Sequence, residues 1–177
     1  RGHAQADTIL GHAGAELLYG GAGADLMRGG TGDDTVSGRA GDDTIHGGEG
    51  KDIVSGAAGM DVLFADAGND GVYGGDDNDR LYSGRDNDYL DGQKGDDVLV
   101  SIGGAQGDQL TGGPGIDNFW CDGESTEKVN SDGGEGLYIH RVFGFQPLKQ
   151  MNQLAGTPSR ELLGQNLPDP HVDSIYN

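Results

Sequence analysis

This chain of 177 residues has a single cysteine, Cys121, only five prolines and few aromatic side chains. One cysteine excludes an internal disulfide, so any cross-link that stabilises the fold must be of another kind. Hydrophobic residues make up only 33% of the chain. No apolar run reaches the length of about 18 residues that a membrane-spanning helix needs. The composition therefore excludes a disulfide scaffold and predicts no helical membrane span.

Positive charge is also scarce. The chain has 11 basic residues against 30 acidic ones, which gives a formal net charge of −19. A surface of this sign repels phosphate backbones and anionic lipids, so neither nucleic acid nor a lipid surface is an expected partner. A cation is the natural partner of so acidic a chain.

Glycine is abundant, with 36 residues, and it recurs at regular positions. When the chain is cut every nine residues from Gly2, it resolves into thirteen units that cover residues 2–120, with one interruption at Ser101 and Ile102. The sixth position of every unit is acidic and the eighth is apolar. A fixed period of this kind is typical of a repeat architecture. The apolar column comprises Ile9, Leu18, Met27, Val36, Ile45, Val54, Leu63, Val72, Leu81, Leu90, Leu99, Leu110 and Phe119.

Units such as GGAGADLMR (20–28) and GGTGDDTVS (29–37) resemble the calcium-binding nonapeptide of the repeats-in-toxin (RTX) family. That nonapeptide reads G-G-x-G-x-D-x-U-x, where U is a large apolar residue. The resemblance implies export through a type I system, with the chain unfolded in the low-calcium cytosol and folded outside the cell. The lack of disulfides fits passage through a reducing cytosol.

One apolar side chain per nine residues cannot be buried by a single unit, but stacked units bury these side chains as a continuous column. Two consecutive nonapeptide units make one coil, with a short strand on each side. The predicted fold is all-β: a right-handed parallel β-roll over residues 1–120, in which two short parallel sheets face each other across a thin core. Residues 121–177 are predicted to form a small C-terminal cap, with a strand in 136–145 and a short helix at 157–164.

The same geometry sorts the acids into two columns, because every second unit along the chain stacks on the same side of the roll. Carboxylates about 5 Å apart repel each other by roughly 3 kcal/mol at an effective dielectric constant near 20, and a divalent cation between them reverses the sign. Calcium suits such a site because it accepts backbone carbonyls beside carboxylates. We expect up to about eleven calcium ions, bridged by interior acids. The first column comprises Asp7, Asp25, Asp43, Asp61, Asp79, Asp97 and Asp117, and the second comprises Glu16, Asp34, Asp52, Asp70, Asp88 and Asp108.

Irregular units modify this expectation at particular places. Asp77 and Asp86 replace a turn glycine, and aspartate tolerates positive φ better than most residues. The insertion of Ser101 and Ile102 predicts a bulge or longer turn near the last acid pair of the second column. That pair is therefore the weakest expected site.

Other interpretations of these residues remain. Asx turns also favour Asp and Gly, so a roll held by turn chemistry alone is an alternative, although it does not require two columns of like charge. His3 and His12 lie nine residues apart, hence on opposite sides, which favours solvated turn residues over zinc ligands. Phe64 and Tyr82 should stack on the outer face, either as packing between coils or as a stripe that binds a sugar or a protein partner.

No GxSxG or HExxH motif is present, so we do not expect an enzyme. The expected function is that of a calcium-binding module in a secreted or cell-surface protein, with a surface polymer or a second copy as further partners. The alternative is a C-terminal accessory or secretion module of an exported protease, lipase or polysaccharide epimerase, whose catalytic domain precedes Arg1. The start without methionine favours a piece of a longer protein.

Overall fold

A computed structural model of the chain describes residues 1–101, 107–121, 128–130 and 138–141. All regular structure among these residues is β-strand, and they contain no helix long and apolar enough to cross a membrane. The short helix expected at 157–164 lies outside the described residues. The strands are β1 (Thr8–Ala13), β2 (Leu17–Ala22), β3 (Leu26–Thr31), β4 (Thr35–Ala40), β5 (Thr44–Glu49), β6 (Ile53–Ala58), β7 (Val62–Ala67), β8 (Gly71–Asp76), β9 (Arg80–Arg85), β10 (Tyr89–Lys94), β11 (Val98–Ser101), β12 (Gln109–Thr111), β13 (Asn118–Cys121), β14 (Lys128–Asn130) and β15 (Tyr138–Arg141).

Successive strands alternate between two parallel sheets. In the described part of the chain, the odd-numbered strands form an eight-stranded sheet and the even-numbered strands form a seven-stranded sheet. Partners within a sheet lie two nonapeptide units apart in the chain, so that Ile45 lies opposite both Met27 and Leu63. Each coil therefore contributes one strand to each sheet, which confirms the predicted parallel β-roll.

The core is the predicted apolar column. The eleven side chains from Met27 to Phe119 in this column are all 0% exposed. Ile9 and Leu18, in the first coil, are only partly buried and pack against the others. Burial of an aliphatic side chain contributes about 1.5–3 kcal/mol. With one such residue per nine, the hydrophobic gain per unit is small, and the roll needs a further source of stability.

Strands β1 to β10 each span six residues, twice the three residues around the apolar position that the nonapeptide pattern predicts as strand. In β5, Ile45 and Gly47 both face inwards, and pairing continues through Gly48 to the sixth residue, Glu49. In β1 to β10, the first two residues of the following unit, often glycines, thus extend the strand instead of opening the turn. The reason is that glycine allows the backbone to bend at the corner of the coil while it keeps its place in the ladder.

Positive backbone φ angles recur at the second and fourth positions of the units. Glycine occupies most of these positions, but Asp77 and Asp86 adopt φ angles of 79° and 71°, as expected from the sequence. Ala57 stands at a second position with φ of 89°. Since a left-handed conformation costs a residue with a Cβ atom roughly 1–2 kcal/mol, Ala57 introduces local strain.

Replacement of Ala57 by glycine should therefore stabilise the roll. We expect Ala57→Gly to raise the free energy of unfolding by about 0.5–1 kcal/mol, since relief of strain exceeds the entropic cost of glycine. Ala58→Gly is the matched control, because Ala58 is the next residue and does not have positive φ; it should lose about 0.5–1 kcal/mol. Chemical denaturation in saturating calcium measures both changes, and equal effects of the two would contradict the assignment of strain.

The sheets continue beyond residue 120, where the nonapeptide pattern ends. β14 pairs in parallel with β12, and β15 pairs in parallel with β13. β15 lies within 136–145, the stretch expected to contain a strand, whereas the sequence pattern did not indicate β14. The separation of paired residues here is irregular, as for Leu110 with Val129 and Phe119 with Ile139. A search for a strict period of nine therefore misses these strands.

Aromatic rings stack along the outer face of the odd-numbered sheet. The rings of Phe64 and Tyr82 lie 4.7 Å apart and are inclined by 11°, and His46 stacks on Phe64 at 4.5 Å. His46 also makes a contact of 3.0 Å with the carboxylate of Asp66. The expected stacking of Phe64 and Tyr82 is present as packing between coils, and a sugar- or partner-binding role for this stripe remains a prediction.

Candidate metal centre

The acids at the sixth position of the units stand in two ladders, each at one row of turns between the sheets. The backbone N–H of each acid before the last in its column donates to a side-chain oxygen of the acid in the next coil, as from Asp43 to Asp61 Oδ1 at 2.8 Å. This bond recurs at 2.7–2.9 Å along the whole of both columns, from Asp7 to Asp117 and from Glu16 to Asp108. The structure thus brings together the residues that the sequence assigned to each column.

The second carboxylate oxygen of most of these acids is buried without a hydrogen-bond partner. A buried polar atom left unsatisfied costs roughly 1–3 kcal/mol, and more when it is charged. Because an ionised carboxylate accepts hydrogen bonds and cannot donate one, two stacked carboxylates cannot satisfy each other. A cation is the partner that these oxygens need. The atoms are Glu16 Oε2 and the Oδ2 atoms of Asp25, Asp34, Asp43, Asp52, Asp61, Asp70, Asp79, Asp88 and Asp97.

Backbone carbonyls converge on the same places. A Cβ atom placed on Gly47 would lie 2.7 Å from Asp52 Oδ2 and 2.7 Å from the carbonyl oxygen of Ala65, one coil further on. These two oxygens thus face a space that a side chain at position 47 would fill. The arrangement explains why glycine is favoured at the first position of a unit. A carboxylate of the same unit and a carbonyl of the next coil meet in the same way at Gly2, Gly20, Gly29, Gly74 and Gly92.

Burial raises the pKa of several carboxyl groups in the interior of the columns. The pKa of Asp61 rises from 3.8 to about 7, chiefly because the residue is removed from water. The hydrogen bond with the backbone of Asp43 lowers this pKa, and the negative charge of Asp43 raises it again. The ladder is therefore costly when it is ionised and has no cation. Burial likewise raises the pKa of Asp43 and Asp97 to about 6, of Asp70 and Asp79 to about 7, and of Asp88 to about 8.

The ligand set consists of oxygen atoms from carboxylates and carbonyls. Hard oxygen ligands favour calcium, which takes six to eight of them in flexible geometry. In the described ranges, no group of three or more His, Cys, Asp or Glu side chains is placed to hold a metal ion. A site here must therefore combine two carboxylates from successive coils with backbone carbonyls of the turns. That combination fits calcium better than zinc, which prefers a tetrahedral set of side-chain nitrogen and sulfur ligands.

The ends of the columns differ from their interiors. Asp7 and Glu16 in the first coil are only half buried, and Asp7 Oδ2 accepts a hydrogen bond from the backbone of His3 at 2.7 Å. At the other end of the second column, Asp108 Oδ2 accepts a hydrogen bond from Ser101 Oγ at 2.6 Å. Sequence reasoning missed Ser101 as a contact of the site, although its place at the insertion marked the pair as irregular.

A second ladder runs along the outside of the turns, at the fifth position of the units. There the side-chain oxygen accepts the backbone N–H of the residue one coil later, as Asp42 Oδ1 does from Met60 at 2.9 Å. Asp42 is exposed, whereas Asp43, its neighbour in the chain and a member of the first column, is buried. Acids at the fifth and sixth positions thus have different roles. The outer acceptors are Asp33, Asp42, Asn69, Asn78 and Asp96.

Comparison with known protein families agrees with this geometry. A family model described as the RTX calcium-binding nonapeptide repeat matches residues 1–27, 28–63, 46–81, 55–90 and 73–101. These segments together span residues 1–101, more than half of the chain. A search of curated proteins found no match to the chain.

Proposed function

The chain belongs to the family of RTX calcium-binding nonapeptide repeat proteins and is a calcium-binding β-roll module, and we propose that calcium binding outside the cell is what folds it. The observation that carries this proposal is the set of buried carboxylate oxygens without partners, aligned in two columns. Because a site of this kind does not exist in the unfolded chain, the free energy of metal binding becomes free energy of folding.

We propose the acids of both columns as the ligands. An interior acid such as Asp61 lies between two column neighbours, Asp43 and Asp79, and would contact an ion on either side. The columns have room for up to about eleven ions on this scheme. Bound calcium would supply the positive charge that makes stacked carboxylates attractive to each other. The chain itself contributes the spacing, the carbonyl oxygens and the exclusion of water.

The matched pair Asp43→Asn and Asp42→Asn tests the assignment of ligands. Both replacements remove one negative charge and keep an acceptor for the backbone N–H bound to Oδ1, but only Asp43 has a buried Oδ2. Calcium titration calorimetry, with circular dichroism as the folding readout, should show at least one fewer ion in Asp43→Asn and a higher calcium concentration at half-folding. Asp42→Asn should behave like the unaltered protein. If the two variants lose calcium equally, the sixth-position column is not the site.

The setting that we propose is extracellular. Calcium-binding modules that act outside the cell have affinities of about 10⁻⁴–10⁻³ M, so they stay empty in the cytosol and fill after export. Such a chain can cross a type I secretion system unfolded and fold on the far side. Calorimetry tests this as well, because an affinity in the nanomolar range would allow folding inside the cell and would contradict the scheme.

Two parent proteins remain as proposals. In the first, the roll is the working part of a secreted or cell-surface protein. In the second, it is an accessory or secretion module of an exported enzyme such as a protease, lipase or polysaccharide epimerase. The long block of repeats favours the first. Sequencing of the gene upstream of Arg1 would discriminate them, because further repeats support the surface protein and a catalytic motif supports the enzyme.

A further inference from the structure

A buried serine borders the second column of acids at a place where most units have glycine. Each unit begins with a residue that adjoins the carboxylate at the sixth position, and Ser83 stands at this place in the unit of Asp88. Ser83 faces inwards from β9 and is 0% exposed. The corresponding residues of the first column are all glycine: Gly2, Gly20, Gly38, Gly56, Gly74, Gly92 and Gly112.

Two oxygen atoms of this unit lack a partner. Ser83 Oγ and Asp88 Oδ2 are both buried and make no hydrogen bond, and each such atom costs stability until a partner satisfies it. A hydrogen bond from the hydroxyl to the carboxylate would be the simplest remedy, and Ser101 donates one of 2.6 Å to Asp108 Oδ2 in the next coil. Ser83 and Asp88 make no such bond. A partner that does not belong to the chain can satisfy both of these oxygens.

Ser83 Oγ and Asp88 Oδ2 border the same space beside the column. β9 continues the register of β5 and β7, so that Ser83 takes the place that Gly47 has two coils earlier. A Cβ atom at Gly47 would lie 2.7 Å from Asp52 Oδ2, the atom that corresponds to Asp88 Oδ2. The side chain of Ser83 therefore stands next to Asp88 Oδ2, in the space that a glycine leaves open in the regular units.

From these observations we propose that Ser83 Oγ is a calcium ligand, and that it holds one ion of the second column together with Asp88 Oδ2. Asp88 Oδ1 accepts the backbone N–H of Asp70 in the preceding coil at 2.9 Å, which leaves Oδ2 for the ion. Calcium accepts neutral oxygens beside carboxylates, and a hydroxyl oxygen has two lone pairs with which to bind it. The proposal deepens the proposed function and rests on it, because it adds a side chain to one of the proposed sites.

Ala65 shows that packing in this row does not need a hydroxyl group. It takes the equivalent place one coil before Ser83 and is likewise 0% exposed. A methyl group therefore fits here, and the volume of the side chain alone does not account for serine at position 83. Two neighbouring sites of one column then have different ligand sets, because the site at Asp88 has a hydroxyl oxygen and the site at Asp70 has none.

A crystal structure of the chain grown in millimolar calcium tests the proposal directly. We expect an ion at about 2.3–2.6 Å from both Ser83 Oγ and Asp88 Oδ2. An ion that contacts Asp88 while Ser83 Oγ bonds to a carboxylate or a water would overturn the role of Ser83 and leave the proposed function intact. Columns without any ion at saturating calcium would refute the proposed function, and the role of Ser83 with it.

The sign of a mutational effect gives a second test in solution. Loss of a polar contact to a charge weakens binding about tenfold, so Ser83→Ala should raise the unfolding equilibrium constant about tenfold in saturating calcium. Ser55→Ala is the matched control, because Ser55 is half-buried on the outer face of β6, and it should leave the constant unchanged. Urea denaturation measures both. A constant that falls or stays the same in Ser83→Ala would overturn the proposal, since removal of an unsatisfied buried hydroxyl group has that effect.

Discussion

Removal of calcium with a chelator at neutral pH is expected to abolish the β-roll and leave residues 2–120 largely disordered. Two columns of buried carboxylates would then have no counter-charge, and desolvation of each ion costs several kcal/mol. Repulsion between neighbours about 5 Å apart adds roughly 3 kcal/mol per pair at an effective dielectric constant of 20. A core of one apolar residue per unit cannot offset these terms.

Far-ultraviolet circular dichroism measures this change. The β-sheet signal should disappear in chelator and return when calcium is restored to millimolar concentration. Magnesium is the control for divalent charge, because it demands near-octahedral geometry and gives up its water reluctantly. Sodium at equal ionic strength is the control for screening. An unchanged spectrum in chelator at neutral pH would contradict the central claim of calcium-dependent folding.

Acidification in the absence of calcium is expected to have the opposite effect and to restore structure. Burial raises the pKa of Asp61, Asp70 and Asp79 to about 7 and that of Asp88 to about 8, from an ordinary value of 3.8. At pH values between the unfolded pKa of 3.8 and the folded pKa of about 7 to 8, the folded state binds more protons than the unfolded state. The free energy of unfolding of the metal-free chain therefore rises as the pH falls through this range. This stability is fully present below the unfolded pKa and is lost as the pH rises through the folded pKa. One pKa unit corresponds to about 1.4 kcal/mol, so the effect is large when several aspartates contribute.

The pH dependence should change sign when calcium is present. Calcium binds the ionised carboxylate, so protons compete with the metal and the apparent affinity falls on acidification. Circular dichroism between pH 8 and about pH 5, with and without calcium, tests both expectations. This range stays above the isoelectric point of about 4.2, where low net charge promotes precipitation. A metal-free chain that stays equally disordered over the whole range would contradict the attribution of its instability to ionised ladders.

Much of the fold was predictable because it depends on spacing alone. An apolar residue every nine positions predicts a column of buried side chains, and Val36, Leu63 and Leu90 are accordingly inaccessible to solvent. The same spacing assigns Asp43 and Asp61 to one column and places Asp52 in the other. These inferences succeed because a stacked coil of constant length allows only one register. These inferences are less secure where the coil length changes, as at the two-residue insertion before β12. Beyond residue 120 the pattern ends, and it did not indicate β14.

The two columns of acids were predictable in their members, whereas the role of each carboxylate oxygen was not, and the assignment of these acids as calcium ligands stays a prediction. Asp42 and Asp43 are adjacent identical residues, yet the first supports an outer hydrogen-bond ladder and the second is buried with an unsatisfied Oδ2. The direction of each side chain depends on the backbone angles of the turn, and the repeat pattern alone does not specify those angles. For the same reason the contact of Ser101 with Asp108 was outside the reach of sequence reasoning.

By itself, the sequence determined the coil of two nonapeptide units, the two parallel sheets, the core column and the two rows of acids, because all of these follow from periodicity and charge. The tertiary structure decided how far each strand extends. It also decided which oxygen of each carboxylate accepts a backbone N–H and which is buried without a partner, and that the hydroxyl group of Ser101 contacts Asp108 Oδ2. Those features depend on contacts between residues in successive coils, as between Asp43 and Asp61 or Asp88 and Asp108. Such contacts form only when the coils stack.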